Sequence, residues 1–127
     1  MRKRLFSRAV PFLACLAALL GAPGCETDDD DYDHNPPLGQ GGIIVENFTY
    51  TDLEFFLDGR LQGKVSDDDD RAFDFPPGVY RVVLNDEDDS NRSWAGDVDV
   101  LQGRLTILNV RVDPLDSGAY TVQREIQ

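Results

Sequence analysis

The chain has 127 residues, which gives room for one domain. It carries 24 acidic and 12 basic residues, a formal net charge of −12 at pH 7, which argues against direct binding to nucleic acid or to anionic lipid headgroups. Its two cysteines, Cys15 and Cys25, exclude a disulfide framework, because the first lies in a segment that we expect to be removed.

The first 24 residues have the three parts of a secretion signal. Basic residues fall within positions 1–8, an apolar run fills 9–20, and short residues fill 21–24. A helix over the apolar run would rise only about 18 Å, whereas the hydrocarbon core of a bilayer is about 30 Å thick. We therefore predict a signal peptide over 1–24, with a retained transmembrane helix as the weaker alternative.

The leader ends in the tetrapeptide Ala22-Pro23-Gly24-Cys25. It resembles the bacterial lipobox, which lipoprotein-processing enzymes read. The resemblance implies that Cys25 becomes the first mature residue and carries a diacylglyceryl group with palmitate-type chains, and often a third chain. Several buried acyl chains, at about 0.8 kcal/mol per CH₂, give stable anchoring. Four of the 12 basic residues lie in the leader, so the mature chain carries 8 against 24 acidic residues, a net charge near −16.

Three alternatives for this region stay open. Cys25 remains an unmodified thiol, Cys15 carries the lipid from within the apolar run, or an ordinary signal peptidase cuts after Ala22. The last is disfavoured because Pro23 would follow the scissile bond, where its rigid ring and missing N–H make a poor substrate.

Residues 25–42 are expected to form a flexible, acidic tether that starts at the lipidated Cys25. The segment combines an aspartate run with two prolines and three glycines and has almost no apolar residues. At about 3 Å per residue it would hold a domain up to roughly 50 Å from the lipid surface. His34 lies beside Asp31 and Asp33, and these are ligand types for divalent ions. A solvated spacer is the simpler interpretation, because a selective site needs fixed ligand spacing.

From Ile43 onward, apolar residues recur at every second position, which is typical of half-buried β-strands. The clearest runs are 53–57, 80–84 and 106–112. Turns are predicted at Asp58-Gly59, at Pro76-Pro77-Gly78 with the glycine at a positive φ, and at Leu101-Gln102-Gly103. About seven short strands without a helix pattern predict a small antiparallel β-sandwich of immunoglobulin-like type over 43–127.

The large aromatic residues are expected to fill the core of this small domain. They are Phe48, Phe55, Phe73, Phe75, Tyr80 and Trp94. Trp94 follows a polar loop and is the aromatic residue best placed to lie on a binding surface.

Two segments carry a resemblance to a known family. Residues 55–65 (FFLDGRLQGKV) and 73–82 (FDFPPGVYRV) resemble the paired hairpins of the PEGA-type modules of bacterial envelope proteins. In place of the family's proline-glutamate-glycine-alanine signature, the chain has Phe75-Pro76-Pro77-Gly78. The resemblance covers most of residues 43–112. It implies a small β-sandwich with a non-catalytic surface or scaffold role.

The sequence shows no pattern for catalysis. His34 is the only histidine and lies in the predicted tether, so a nucleophile in the domain has no histidine base. Neither a phosphate-binding loop nor a cysteine-histidine cluster for zinc is present. The acidic loops 67–70 and 86–89 lack the spacing of a calcium loop, and Asn47-Phe48-Thr49 is interpreted as a chance glycosylation motif. We predict no catalytic residue, cofactor or metal site.

We therefore predict a non-catalytic lipoprotein of the bacterial cell envelope, anchored by lipid in the inner or outer membrane, that displays a β-sandwich for protein interaction or surface structure. Its partner is an unknown envelope protein, and nucleic acid is not expected to bind. The alternative is a carbohydrate- or calcium-binding surface module in which Trp94 and the acidic loops meet at one end. An exposed Trp94 would favour that alternative, and a buried one would count against it.

Overall fold

The computed structural model describes residues 32–89 and 91–127. The predicted signal peptide and Cys25 lie outside the described residues and stay predictions. Residues His34–Gln127 form one compact unit. In the part of the chain that is described, no helix is long and apolar enough to cross a membrane.

Eight strands build this unit. They are β1 (Gly41–Asn47), β2 (Leu53–Leu57), β3 (Arg60–Val65), β4 (Asp70–Phe75), β5 (Gly78–Asp86), β6 (Ser93–Val100), β7 (Leu105–Asp113) and β8 (Asp116–Ile126). Alternating apolar residues with β-branched and aromatic side chains favour this extended backbone. The all-β class predicted from the sequence is confirmed.

The strands form a single sheet in the order β3-β2-β5-β6-β8-β7-β1-β4, nearly closed into a barrel. Two four-stranded halves meet where β6 and β8 pair in parallel, at Ser93 and Ala119. A second parallel pair joins β1 to β7. The predicted seven-stranded immunoglobulin-like sandwich is therefore wrong in strand number and in its purely antiparallel pairing. Strand β8 escaped prediction because most of its side chains are polar or exposed.

The core lies inside the curved sheet and takes alternate residues from its strands. Its fully buried members include Ile43, Val45, Leu53, Phe55, Val82, Leu84, Leu108 and Val110. Phe55 lies at its centre, with its ring centroid 4.6 Å from that of Phe73 and 6.3 Å from that of Phe75. Burial of one such side chain stabilises the fold by roughly 2–3 kcal/mol.

The aromatic residues expected in the core divide into three groups. Phe55 is fully buried, while Phe73, Phe75, Tyr80 and Trp94 are partly buried and pack against the core. Phe48 is 41% exposed, and the guanidinium of Arg111 lies 4.2 Å from its ring centroid. Phe48 therefore belongs to the surface, because it follows the last residue of β1.

Two of the predicted turns are confirmed. Asp58 (φ 48°) and Gly59 (φ 83°) form a two-residue connection between β2 and β3, which requires positive φ at both positions. Gly103 also has a positive φ (72°) in the turn between β6 and β7. Gly78 differs from expectation, because it begins β5 and is not among the positive-φ residues.

The N-terminal end of the domain lies earlier than the predicted boundary at Ile43. Strand β1 begins at Gly41, where a Cβ atom would lie 2.2 Å from the carbonyl oxygen of Leu101. His34 Nε2 lies 2.7 Å from Asp74 Oδ1 on β4. Residues 34–42, assigned to the tether by their composition, thus belong to the compact unit, because glycine here allows close backbone packing.

The path of the chain places its connections at two opposite ends of the sheet. One end holds residues 34–40 and the turns 58–59, 76–77 and 101–104, and we call it the proximal end. The distal end holds the loops 48–52, 66–69 and 114–115 and the described residues 87–89 and 91–92. Both acidic loops noted in the sequence therefore lie at the distal end.

Candidate functional site

The distal end contains a buried carboxylate. Asp86 ends β5, and only 1% of its side chain is exposed. It accepts hydrogen bonds from the backbone N–H groups of Asp88 (2.8 Å) and Asp89 (3.2 Å), and Arg92 Nη1 lies 3.1 Å from its second oxygen. Burial alone would raise the pKa of Asp86, but the hydrogen bonds to its carboxylate outweigh burial and hold that pKa below its usual value.

Further polar groups surround this carboxylate. Arg92 Nε is buried without a hydrogen-bond partner among the described residues, whereas the hydroxyls of Thr51 and Tyr120 contribute to lowering the pKa of Asp86. The hydroxyl of Tyr120 faces Thr51 and Asp86, and burial is the main cause that raises the pKa of Tyr120. Because Asp86 already accepts backbone and guanidinium hydrogens, it is poorly suited to act as a general base. The cluster connects the loop that follows β5 with strand β8.

The side chain of Asn47 links the loop 48–52 to the loop that follows β3. Its Nδ2 donates to the carbonyl oxygens of Thr51 (2.8 Å), Val65 (3.0 Å) and Ser66 (3.1 Å). Its Oδ1 accepts hydrogen bonds from the backbone N–H and the hydroxyl of Thr49. The motif that looked like a chance glycosylation site is therefore a structural one. The available signal was an asparagine followed two residues later by threonine at a strand end, a pattern typical of side-chain-stabilised turns.

Aspartate side chains accept hydrogen bonds from the backbone of the acidic loop between β3 and β4. The N–H of Asp67 donates to Asp52 Oδ1 (3.0 Å), and that of Asp70 donates to Asp69 Oδ1 (2.8 Å). A shallow depression of about 110 Å³ lies beside this loop. Within residues 32–89 and 91–127, no group of three histidine, cysteine, aspartate or glutamate residues is arranged to hold a metal ion. The calcium alternative gains no support from these loops.

Trp94, the other candidate binding residue, points toward the core. It is partly buried, and its ring covers Gly96 so closely that a Cβ there would lie 2.6 Å from it. The guanidinium of Arg124 lies 5.9 Å from its ring centroid. Trp94 therefore lacks the open ring face that stacking on a sugar requires, which counts against a carbohydrate site at this residue.

The surface of the domain is anionic. Residues 34–127 contain 18 acidic and 8 basic residues. Lys64 Nζ lies 2.6 Å from Glu87 Oε2, and this hydrogen bond is the main cause that raises the pKa of Lys64. Arg81 and Asp97 form an exposed pair at 3.3 Å. Exposed pairs contribute little to stability, so the main effect of the charge is on the choice of partner.

The comparisons with known proteins bear on the fold. No family model matches the sequence, and no curated protein matches it. Among solved structures, the domain is similar to the N-terminal domain of AlgF from P. aeruginosa, with a TM-score of 0.54 and 16% sequence identity. The match covers 72% of this chain and 96% of that chain. At this identity the similarity shows a shared fold and carries no activity or partner.

Proposed function

We propose that this chain is a lipid-anchored protein of the bacterial cell envelope whose β-domain is a non-catalytic module for contact with another protein. The observation that carries the proposal is the difference between the two ends of the domain. The chain enters at the proximal end through His34, and both acidic loops lie at the distal end. An anchor at Cys25 would therefore hold the domain by the end opposite its most acidic loops.

Charge supports this orientation. Anionic headgroups repel acidic loops within about a Debye length, roughly 8 Å at physiological salt. The distal end, directed away from the membrane, is free of that repulsion and available to a basic partner.

The distal end also displays apolar groups. Tyr50 is 87% exposed and Leu115 is 95% exposed. Tyrosine is enriched among the residues that contribute most to binding energy at interfaces. An exposed tyrosine and leucine beside carboxylates fit a surface that a basic protein covers. The resemblance to PEGA-type modules, still a prediction, agrees with a scaffold or interaction role.

The lipid anchor is tested by mass. Protein extracted from membranes of a bacterial expression host is compared with the Cys25→Ser variant by intact-mass measurement and membrane fractionation. We expect acyl mass on native Cys25. We also expect the native chain in the membrane fraction and the variant outside it. A native chain that is soluble and has the unmodified peptide mass would refute the anchor.

The interaction surface is tested by photocrosslinking in intact cells. A benzoylphenylalanine placed at Tyr50, on the distal end, is compared with one at Arg60, an exposed position beside the proximal turn 58–59. We expect a discrete protein adduct from position 50 and none from position 60. Equal labelling from both positions, or labelling from position 60 alone, would contradict a distal interface.

A further inference from the structure

Strands β6 and β8 are neighbours in the sheet but pair at one residue of each, Ser93 and Ala119. No further backbone pairing joins them in the described part of the chain. Beyond this point the edge of each strand borders a cleft, which we call the β6–β8 cleft. The cleft interrupts an otherwise continuous sheet.

The backbone of β8 presents hydrogen-bonding groups to this cleft. Gln127 and Leu105 exchange both N–H···O bonds (2.8 and 3.0 Å). Because such pairs alternate along an antiparallel ladder, every second residue of β8 bonds to β7 and the others point the opposite way. Val122, Arg124 and Ile126 therefore direct their N–H and C=O groups toward β6.

The same reasoning applies to β6. Arg81 on β5 directs its N–H and C=O to Asp58, on the side away from β6. Asp97 lies opposite Arg81 and belongs to a pair without mutual hydrogen bonds, so its backbone groups also point away from β5. Asp99 follows two residues later with the same direction. Both edges of the cleft thus carry backbone donors and acceptors that have no strand partner across it.

Side chains occupy the place of a missing strand. Arg124 Nη1 donates to the carbonyl oxygen of Asp97 (2.6 Å), and Thr106 Oγ1 donates to that of Asp99 (2.8 Å). The cleft forms a depression of about 220 Å³ lined by Asp97, Asp99, Thr106, Arg124 and Ile126. A backbone N–H from an added strand would supply the same hydrogen bonds in a regular ladder.

The residues along β6 determine which segment fits. The side chains of Asp97 and Asp99 are on the outer face and exposed, whereas Val98 and Val100 face the core. Side chains of a neighbouring strand alternate between the same two faces. An added strand would therefore place one set of side chains beside two carboxylates and the other beside the 43% exposed Ile126.

We propose that the β6–β8 cleft binds an extended peptide segment of alternating basic and apolar residues, which pairs with the edge of β6 as an additional strand. The segment displaces the side chains of Arg124 and Thr106 from the carbonyl oxygens of β6. The inference rests on the proposed function only in taking the partner to be a protein. It is independent of the lipid anchor and names a surface separate from the distal loops.

The test uses the full chain and a synthetic hexapeptide of alternating lysine and valine. Trp94, the single tryptophan of the chain, lies next to Arg124 and reports binding through its fluorescence. We expect saturable binding and slower hydrogen exchange at the Asp97 and Asp99 amides. The same peptide methylated at alternate backbone nitrogens should bind about tenfold more weakly, because a strand ladder requires those N–H groups. A glutamate-valine peptide should not bind.

Two sets of variants complete the test. Asp97→Asn with Asp99→Asn should weaken binding about tenfold, whereas the matched distal pair Asp67→Asn with Asp88→Asn should leave the affinity unchanged. Arg124→Met should tighten binding several-fold, because it removes a competing donor and a like charge. These exposed carboxylates lie outside the core, and near-UV circular dichroism verifies the fold of each variant.

Three outcomes would overturn the proposal. Equal affinity for the methylated and the unmethylated peptide would mean that charge attraction alone holds the peptide. Loss of binding in the distal variant, Asp67→Asn with Asp88→Asn, would show that the peptide binds the acidic loops. Failure of the lysine-valine peptide to bind the native chain would show that the cleft does not take this ligand. A Cys25 without acyl mass would refute the anchor and would not change this titration, so the two failures are distinguishable.

Discussion

The guanidinium of Arg92 lies 3.1 Å from the carboxylate of Asp86, and the two side chains are 26% and 1% exposed. The pair spans the loop between β5 and β6 and ties its ends together. The Arg81–Asp97 pair, with 58% and 67% exposed side chains, provides a matched comparison on the surface of the same sheet.

Substitution of Asp86 by asparagine should lower the free energy of unfolding by about 2 kcal/mol, because it leaves Arg92 without its charge partner. Asp97→Asn should cost less than about 0.5 kcal/mol. Urea denaturation of both variants at pH 7 measures the difference. Equal losses of stability in the two variants would mean that burial does not strengthen the interactions of Asp86.

Stability should fall in acid through the same residue. The folded-state pKa of Asp86 lies below the ordinary value of an aspartate, so its contribution is fully present above the unfolded pKa and is lost as pH falls through the folded pKa. Urea midpoints between pH 6 and pH 2 should decline most steeply below about pH 4. The Asp86→Asn variant should show a smaller decline, and an unchanged pH profile would contradict this assignment.

A second titration is expected in alkali. Burial raises the pKa of the Tyr120 phenol above the ordinary value of a tyrosine, so the associated stability is present below the unfolded pKa and is lost as pH rises through the folded pKa. Tyr120→Phe should reduce the loss of stability above about pH 10. The exposed Tyr50→Phe variant serves as the control, and its loss of stability in alkali should match that of the native chain.

Asn47 should not tolerate aspartate. Its Nδ2 donates to three carbonyl oxygens, whereas a carboxylate offers only acceptors there. We expect Asn47→Asp to cost more than about 2 kcal/mol in the free energy of unfolding. The exposed Asn91→Asp should be nearly neutral. A native-like Asn47→Asp variant would show that these three bonds contribute little.

Gly41 should be intolerant of any side chain. A Cβ at this position would lie 2.2 Å from the backbone oxygen of Leu101, which cannot move without shifting the turn after β6. Gly41→Ala should lower the melting temperature by several degrees, corresponding to roughly 1–3 kcal/mol. Gly118→Ala, whose Cβ would approach only an exposed aspartate side chain, is the control. Similar melting temperatures for both would contradict the contact.

Local signals predicted much of the fold. Alternation in 53–57 and 80–84 located β2 and β5, and Asp58-Gly59 located the hairpin between β2 and β3, because each depends on residues close in sequence. Parallel pairing of β1 with β7 joins residues about sixty positions apart and has no local signal. Strand β8 was missed because most of its side chains face solvent.

The candidate site was less predictable. Asp86 begins a run of four acidic residues, and nothing in the run shows that it alone is buried while its neighbours face solvent. Its burial depends on Arg92 across the loop and on Tyr120 from β8, which requires the folded sheet. Likewise, the cleft beside β6 exists because β8 pairs with it at a single residue, a property of strand register that composition does not encode.

Strand β1 is bonded on both sides, to β4 over residues 41–46 and to β7 over residues 42–47. Ladder hydrogen bonds run across the strand axis, perpendicular to it in the antiparallel β1–β4 pair and slanted in the parallel β1–β7 pair. A pull along the chain from its N-terminal side would therefore load both ladders in shear, with many bonds sharing the force at once. An edge strand pulled sideways would instead break one bond after another. Under the proposed anchoring, the point where tension enters the domain is also the part of the sheet best able to bear mechanical load.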